Sequence, residues 1–259
     1  MLALPDPSKL SVRQFAERFR AEMIPLSNTF SYFCTSGPMS EEDQKEYLQE
    51  PVAALPPSVV NALPKIAILL VPYLEHAGSA ERKLPEASTA SEIISSERPP
   101  TGKRSVFTQL QLPEETLLAF ALEDQEMAEY HYRFYHQLAS LMAAQWSEDA
   151  KSRYSLMLRE ELSADVHGEV DEASWRLKQN LRRGTGARSI ARRGRAFEQY
   201  AKESFIDTLT LYLHGICCDI DVETGPRQLP SRFLRKRLLL LEELFPPPKG
   251  YAVFPERGE

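Results

Sequence analysis

The chain has 259 residues, 42% hydrophobic and 26% charged, with a formal net charge of −6. That is ordinary globular composition, long enough to bury a sizeable core as one large domain or as one domain with an appendage. Three cysteines, Cys34 and the adjacent Cys217 and Cys218, imply no disulfide framework and fit a reducing, cytoplasmic setting. The most apolar runs, Ile66–Val71 and Leu238–Leu241, fall far short of the ~20 residues of a bilayer span. Met1 to Leu10 lacks the basic and apolar regions of a secretory signal.

In chain order, Leu10, Phe15, Phe19 and Met23 recur at helical spacing, with Ser8 or Ser11 as cap, and predict a helix over 9–23 that Pro25 stops. Ser40 followed by Glu41, Glu42 and Asp43 predicts a second helix start, with acids where the dipole favours them. Pro56-Pro57-Ser58 introduces the apolar stretch Val59 to Leu74, read as a buried helix broken by Pro64 and Pro72, with a strand at Ile66–Val71 as the alternative. Residues 78–105 turn to Ala, Ser, Glu, Pro and Lys, the composition of a linker or long surface loop.

Pro113-Glu114-Glu115 then reads as a helix opening, and the run to Trp146 contains neither Gly nor Pro. An unbroken helix there would be about 45–50 Å long. Ser147 caps the next helix, Gly168 marks a break, and a further helix runs to Leu181 before the turn Gly184-Thr185-Gly186. Ile190 to Gly215 and Ser231 to Leu244 complete the set, with Pro246-Pro247-Pro248 as the stop. The fold expectation is all-α: an antiparallel helical array over 106–259, a smaller N-terminal helical part over 1–77, and the 78–105 segment between them.

Charge is the strongest functional signal. Residues 105–174 hold 4 basic and 14 acidic side chains, and residues 175–259 hold 16 and 10. Within 176–195 stand Arg176, Lys178, Arg182, Arg183, Arg188, Arg192, Arg193 and Arg195, with no acid. Folded as a helical hairpin about Thr185, this block sets Arg182 opposite Arg188 and Lys178 opposite Arg192, so the adjacent helix cannot neutralise the tip. Gly184 and Gly186 permit a loop whose backbone N–H groups converge, followed by a helix N-terminus. An anion-binding set of Arg182, Arg183, Gly184, Gly186, Arg188, Arg192 and Arg195 follows. The last helix adds Arg232, Arg235, Lys236 and Arg237 in its first half, against the macrodipole preference.

Catalytic motifs are missing. There is no Walker loop, no His-Glu-x-x-His zinc helix and no Gly-x-Ser-x-Gly elbow. His131 and His136 lie about 140° apart around their helix. Asp165 to Asp171 alternates potential ligands but fails the EF-hand pattern at positions 6 and 12. His214, Cys217, Cys218, Asp219 and Asp221 form the densest reactive cluster, yet a soft-metal site would need ligands from elsewhere.

The expected function is a non-catalytic helical interaction protein that engages an anionic partner through the basic tip, without cofactor or metal. An acidic protein surface or self-association is favoured over nucleic acid. The alternative is an enzyme for a phosphate-bearing substrate, with a Gly184–Arg188 phosphate loop and His214, Cys217 and Asp221 carrying chemistry. These two groups lie near opposite ends of one helix, about 35–40 Å apart.

Overall fold

The structure, a computed structural model, describes residues 9–76, 92–123, 125–183, 190–218 and 227–253, with only the backbone for 190–193. It separates into two compact units interleaved along the chain: Met1–Glu50 with Leu63–Tyr130, and Pro51–Ala62 with His131–Glu259.

The first unit is built on β-sheet, which corrects the all-α expectation and the helical-bundle reading. Its strands are Ile24–Pro25 (β1), Phe30–Cys34 (β2), Lys65–Val71 (β3), Tyr73–His76 (β4), Glu92–Ser95 (β5), Arg104–Ser105 (β6), Phe107–Gln111 (β7) and Glu115–Ala121 (β8). A five-stranded mixed sheet has the order β1-β2-β3-β8-β7, and β5-β4-β6 form a second sheet. β2, β3 and β8 run parallel, while β1 and β7 pair antiparallel at the edges.

A central strand covered on both faces has no polar face, so β3 is buried from Ile66 through Val71, an unbroken apolar run without the alternation of a half-exposed strand. β8 is likewise buried from Thr116 through Ala121, and its Leu-Leu-Ala-Phe-Ala is made largely of good helix formers. Pro113-Glu114 is the tip of the β7–β8 hairpin, closed by the Leu112 N–H on the Glu115 carbonyl at 2.9 Å. The helix expected from Glu114 therefore begins only at Met127, and the one expected across Val59–Leu74 is confined to Pro57–Ala62.

Val12–Phe19 (α1) covers one face of the sheet. Ser11 and Gln14 form a reciprocal capping box. Val12, Phe15, Ala16 and Phe19 are buried with Leu69, Val71, Leu117 and Ala119. Phe15 stacks on Phe19 at 4.9 Å between ring centroids and meets Phe33 edge-on at 5.2 Å. Each such ring contributes about 1.5–3 kcal/mol by burial.

Ser40 caps Glu41–Gln44 (α2), which passes through a π-helical turn, Lys45–Gln49, into Glu50–Ala53 (α3). Pro51 lacks the N–H that would bond the Tyr47 carbonyl. The Tyr130 hydroxyl donates to that carbonyl instead, at 2.9 Å.

The second unit is helical: Pro57–Ala62 (α4), most of Met127–Ala144 (α5), Glu148–Ser163 (α6), Glu172–Arg183 (α7), Ile190–Cys217 (α8) and Ser231–Leu244 (α9). Trp146, Tyr154 and Phe205 pack ring on ring in its core. No helix among the described residues is long and apolar enough to cross a membrane.

Gly168 ties the unit together. Its φ is +77°, and a Cβ there would stand 2.1 Å from the Gln228 carbonyl oxygen. The contact lets residue 169 bridge the chain at 227–229: Glu169 N–H donates to Arg227 and Leu229 N–H to Glu169, both at 3.0 Å. That bridge sets the start of α9. Gly168→Ala is expected to cost more than about 2 kcal/mol through backbone strain and displacement of this bridge, measurable by urea unfolding.

Candidate functional site

The basic residues divide between the interior and the surface. In α7, Arg176 pairs with Glu172 one turn back at 2.8 Å. Lys178 is fully buried on Glu169 at 3.0 Å and on the Gly168 carbonyl at 2.8 Å. Arg182 is half-buried and paired with Asp165. Arg183 and Arg195 are exposed. Gly184, Gly186 and Arg188 lie outside the described residues, as do Asp219, Asp221 and the side chain of Arg192. The acids that answer Lys178 and Arg182, Glu169 and Asp165, come from the α6–α7 connection.

At the centre of the helical unit lies a closed ionic cluster. Arg237 of α9 is 0% exposed, and all of its N–H donors are used. Nε donates to both Glu161 oxygens at 3.2 Å, and Nη2 to Glu161 at 2.6 Å and Glu169 at 3.0 Å. Nη1 donates to Glu169 at 2.7 Å and to the Ser204 hydroxyl at 2.8 Å. Glu169 also accepts from Lys178 and from the Tyr200 hydroxyl. Two cations and two carboxylates balance, and they come from α6, the α6–α7 connection, α7 and α9, with α8 supplying the hydroxyls. Burial alone would raise the Glu169 carboxyl; Arg237 and Lys178 outweigh it and hold the group down to about 2.

The outward side of the same seam is a groove. Glu160 and Lys236 pair at 2.8 Å, and Arg153 pairs with Glu243, so α6 and α9 run antiparallel. Between them is a groove of about 570 Å³ whose apolar lining is Met157, Leu239, Leu240 and the exposed Leu156. Arg153, Arg232, Arg235 and Lys236 line it against only two acids, Glu160 and Glu243. Leu156 is 60% exposed there, an apolar side chain left in water beside arginines.

Two further clusters occupy the helical unit. Asp207 of α8 is buried beside Ser174, and its Oδ2 has no hydrogen-bond partner. Burial, reinforced by Asp171, Glu203 and Glu169, pushes its carboxyl up to about 7, while a hydrogen bond from Ser174 pulls the other way. Nearby, the Tyr132 hydroxyl donates to Asp171 at 3.0 Å. The imidazole of His136 is lowered chiefly by burial, against the pull of Glu203 and Asp171. His136 is followed by Gln137 and, at the fourth position, by Ser140, so the zinc-helix pattern is absent here.

The second cluster is His131, His214 and Cys218. One ligand atom from each lies within 4.8 Å of the others. The sequence pairs His214 with Cys217, one turn on; the fold adds His131 from α5, and Cys218 is the thiol that joins it. Burial, then the nearby His131, holds the His214 imidazole neutral, down to about 4. Tyr132 and Tyr135 flank the His214 ring at 6.5 and 5.8 Å.

The fold and these clusters define a mixed α/β protein: a sheet unit and a helical unit with a buried ionic centre, a basic apolar groove and a His/Cys cluster. Comparison with family models, with curated proteins and with solved structures gave no match.

Proposed function

We propose that this protein is a non-catalytic interaction protein whose helical unit engages an acidic protein segment, with the α6–α9 groove as the principal contact. The observation that carries the reading is the composition of that groove: a leucine and methionine floor rimmed by four cations and two acids. An apolar floor with a cationic rim matches an amphipathic helix with one acidic flank. Arginine is the cation suited to such a rim, because its planar fork holds carboxylates in pairs and its stem covers apolar surface. Arg183 and Arg195, exposed members of the basic tip, are a second place for acidic side chains. A duplex is a poorer match: the groove's apolar floor offers nothing to a phosphate backbone, which is met by cations alone.

The test is titration with an amphipathic helical peptide of leucines and glutamates, beside its lysine-for-glutamate counterpart and a mixed-sequence DNA duplex. The glutamate peptide is expected to bind, more weakly as salt rises. Arg232→Glu/Arg235→Glu should weaken it by about tenfold or more. Equal binding of the lysine peptide, or tighter binding of the duplex with a steep salt slope, would overturn the reading.

A further inference from the structure

We propose that His131, His214 and Cys218 form a binding site for a borderline-soft divalent cation, zinc foremost. The donor set is two imidazole nitrogens and one thiol, the mixture that selects zinc over the oxygen-seeking calcium and magnesium. Two of the three donors are set by local structure. His214 and Cys218 are four residues apart, and the Cys218 N–H donates to the His214 carbonyl at 2.9 Å, so both lie on one face of a continuing helical turn. The third comes from α5, 87 residues away from Cys218 in sequence, and both histidines are 92% buried.

The distances agree with one ion. With Zn–N near 2.05 Å and Zn–S near 2.3 Å at a tetrahedral angle, nitrogen and sulfur on the same zinc stand about 3.5 Å apart. His131 Nδ1 and Cys218 Sγ are separated by 3.5 Å. Two imidazole nitrogens on one zinc stand about 3.3 Å apart, so the 4.8 Å limit on the remaining separations asks side-chain movements of about 1.5 Å at most. A simple thiol-to-imidazole hydrogen bond would account for His131 and Cys218. His214 brings a second buried imidazole to the same point, its ring centroid 6.3 Å from that of His131.

Cys218 loses its thiol proton on binding and holds the ion as thiolate; the histidines bind through neutral nitrogens. Three protein donors leave the fourth tetrahedral position to water or to another ligand, unlike the four-donor sites that serve structure alone. The proposal is independent of the acidic-partner reading, since it uses no residue of the groove.

The experiment uses the tag-free, reduced, chelator-treated full chain, titrated with Co²⁺ and then Zn²⁺. Cobalt is expected to bind one per chain, with a thiolate charge-transfer band and the intense visible bands of a tetrahedral site, both displaced by zinc. Cys218→Ser should lose the charge-transfer band. His131→Ala and His214→Ala should weaken binding by roughly tenfold or more. Cys217→Ser and Cys34→Ser should keep the wild-type spectrum. Far-UV circular dichroism establishes that each variant is folded, and where an alanine variant is not, His131→Asn or His214→Asn replaces it. As a second readout, zinc should raise the melting temperature of the wild type and not of Cys218→Ser. A wild-type chain that gives no thiolate band, or a band that survives Cys218→Ser, would overturn the proposal.

Discussion

Arg237→Met is expected to destabilise the helical unit by about 3–5 kcal/mol, the cost of leaving a buried carboxylate without its counter-charge. Arg237 satisfies Glu161 and Glu169 together, and neither carboxylate has access to water. Arg237→Lys should recover little, because a lysine ammonium has three donors on one atom and cannot reproduce the forked contacts to two carboxylates and Ser204. The companion variant separates charge from shape. Arg237→Met/Glu161→Gln leaves Glu169 with Lys178 and restores neutrality, so it should be more stable than Arg237→Met alone by about 1–2 kcal/mol. Simple addition of the two single losses would show that the cluster is not one electrostatic unit. Urea unfolding measures all three. The wild type has a matching pH signature: the Glu169 carboxyl is held down to about 2 from its usual 4.5. Its contribution is therefore fully present above pH 4.5 and lost as the pH falls toward 2, by about 3 kcal/mol in all.

Asp207→Asn is expected to act in the opposite direction. The Asp207 carboxyl stands near 7 in the folded chain against an ordinary value of 3.8. The folded state therefore keeps a proton that the unfolded chain has already released. That relation favours the fold fully below about pH 4 and is lost progressively as the pH rises to 7. Above pH 7 the fold carries a buried carboxylate at a cost of about 4 kcal/mol. Asparagine keeps the shape and removes the ionisation. At pH 8 the variant should be more stable than the wild type by about 2–4 kcal/mol, and near pH 4 the two should coincide. A wild type and variant with parallel stability curves from pH 4 to 8 would show that Asp207 does not hold its proton in the fold. The gain in stability marks a group placed against its own electrostatic preference, next to Asp171 and Glu203.

The sequence made the helical unit readable because its signals are local. The Ser147 cap and the span of α8 each depend on a few neighbouring residues. The sheet unit was hidden because its central strands are buried on both faces. Strand β3 then reads as continuous apolar sequence, and the leucines and alanines of β8 read as helix until their parallel pairing is known. The same distinction governs the sites. A surplus of arginine on α9 is visible, but nothing local separates Arg237, which turns inward to Glu161 76 residues away in sequence, from Arg235 and Lys236, which are exposed. Their placement against the helix dipole was the available sign that tertiary contacts fix them. His131 carried no sign at all, since its partners lie beyond the reach of any helical spacing.

The basic residues divide in two: one group closes the interior, and the other lines the groove proposed to take an acidic segment. Methyl NMR of the leucine-labelled chain tests that division most directly, during titration with the leucine–glutamate helical peptide. Shift changes are expected at Leu156, Leu239 and Leu240, abolished by Arg232→Glu/Arg235→Glu, while Leu158 and Leu241 in the core stay still. Changes confined to Leu177 and Leu181, on the α7 half of the 176–195 tip, or an unchanged spectrum at saturating peptide, would contradict it.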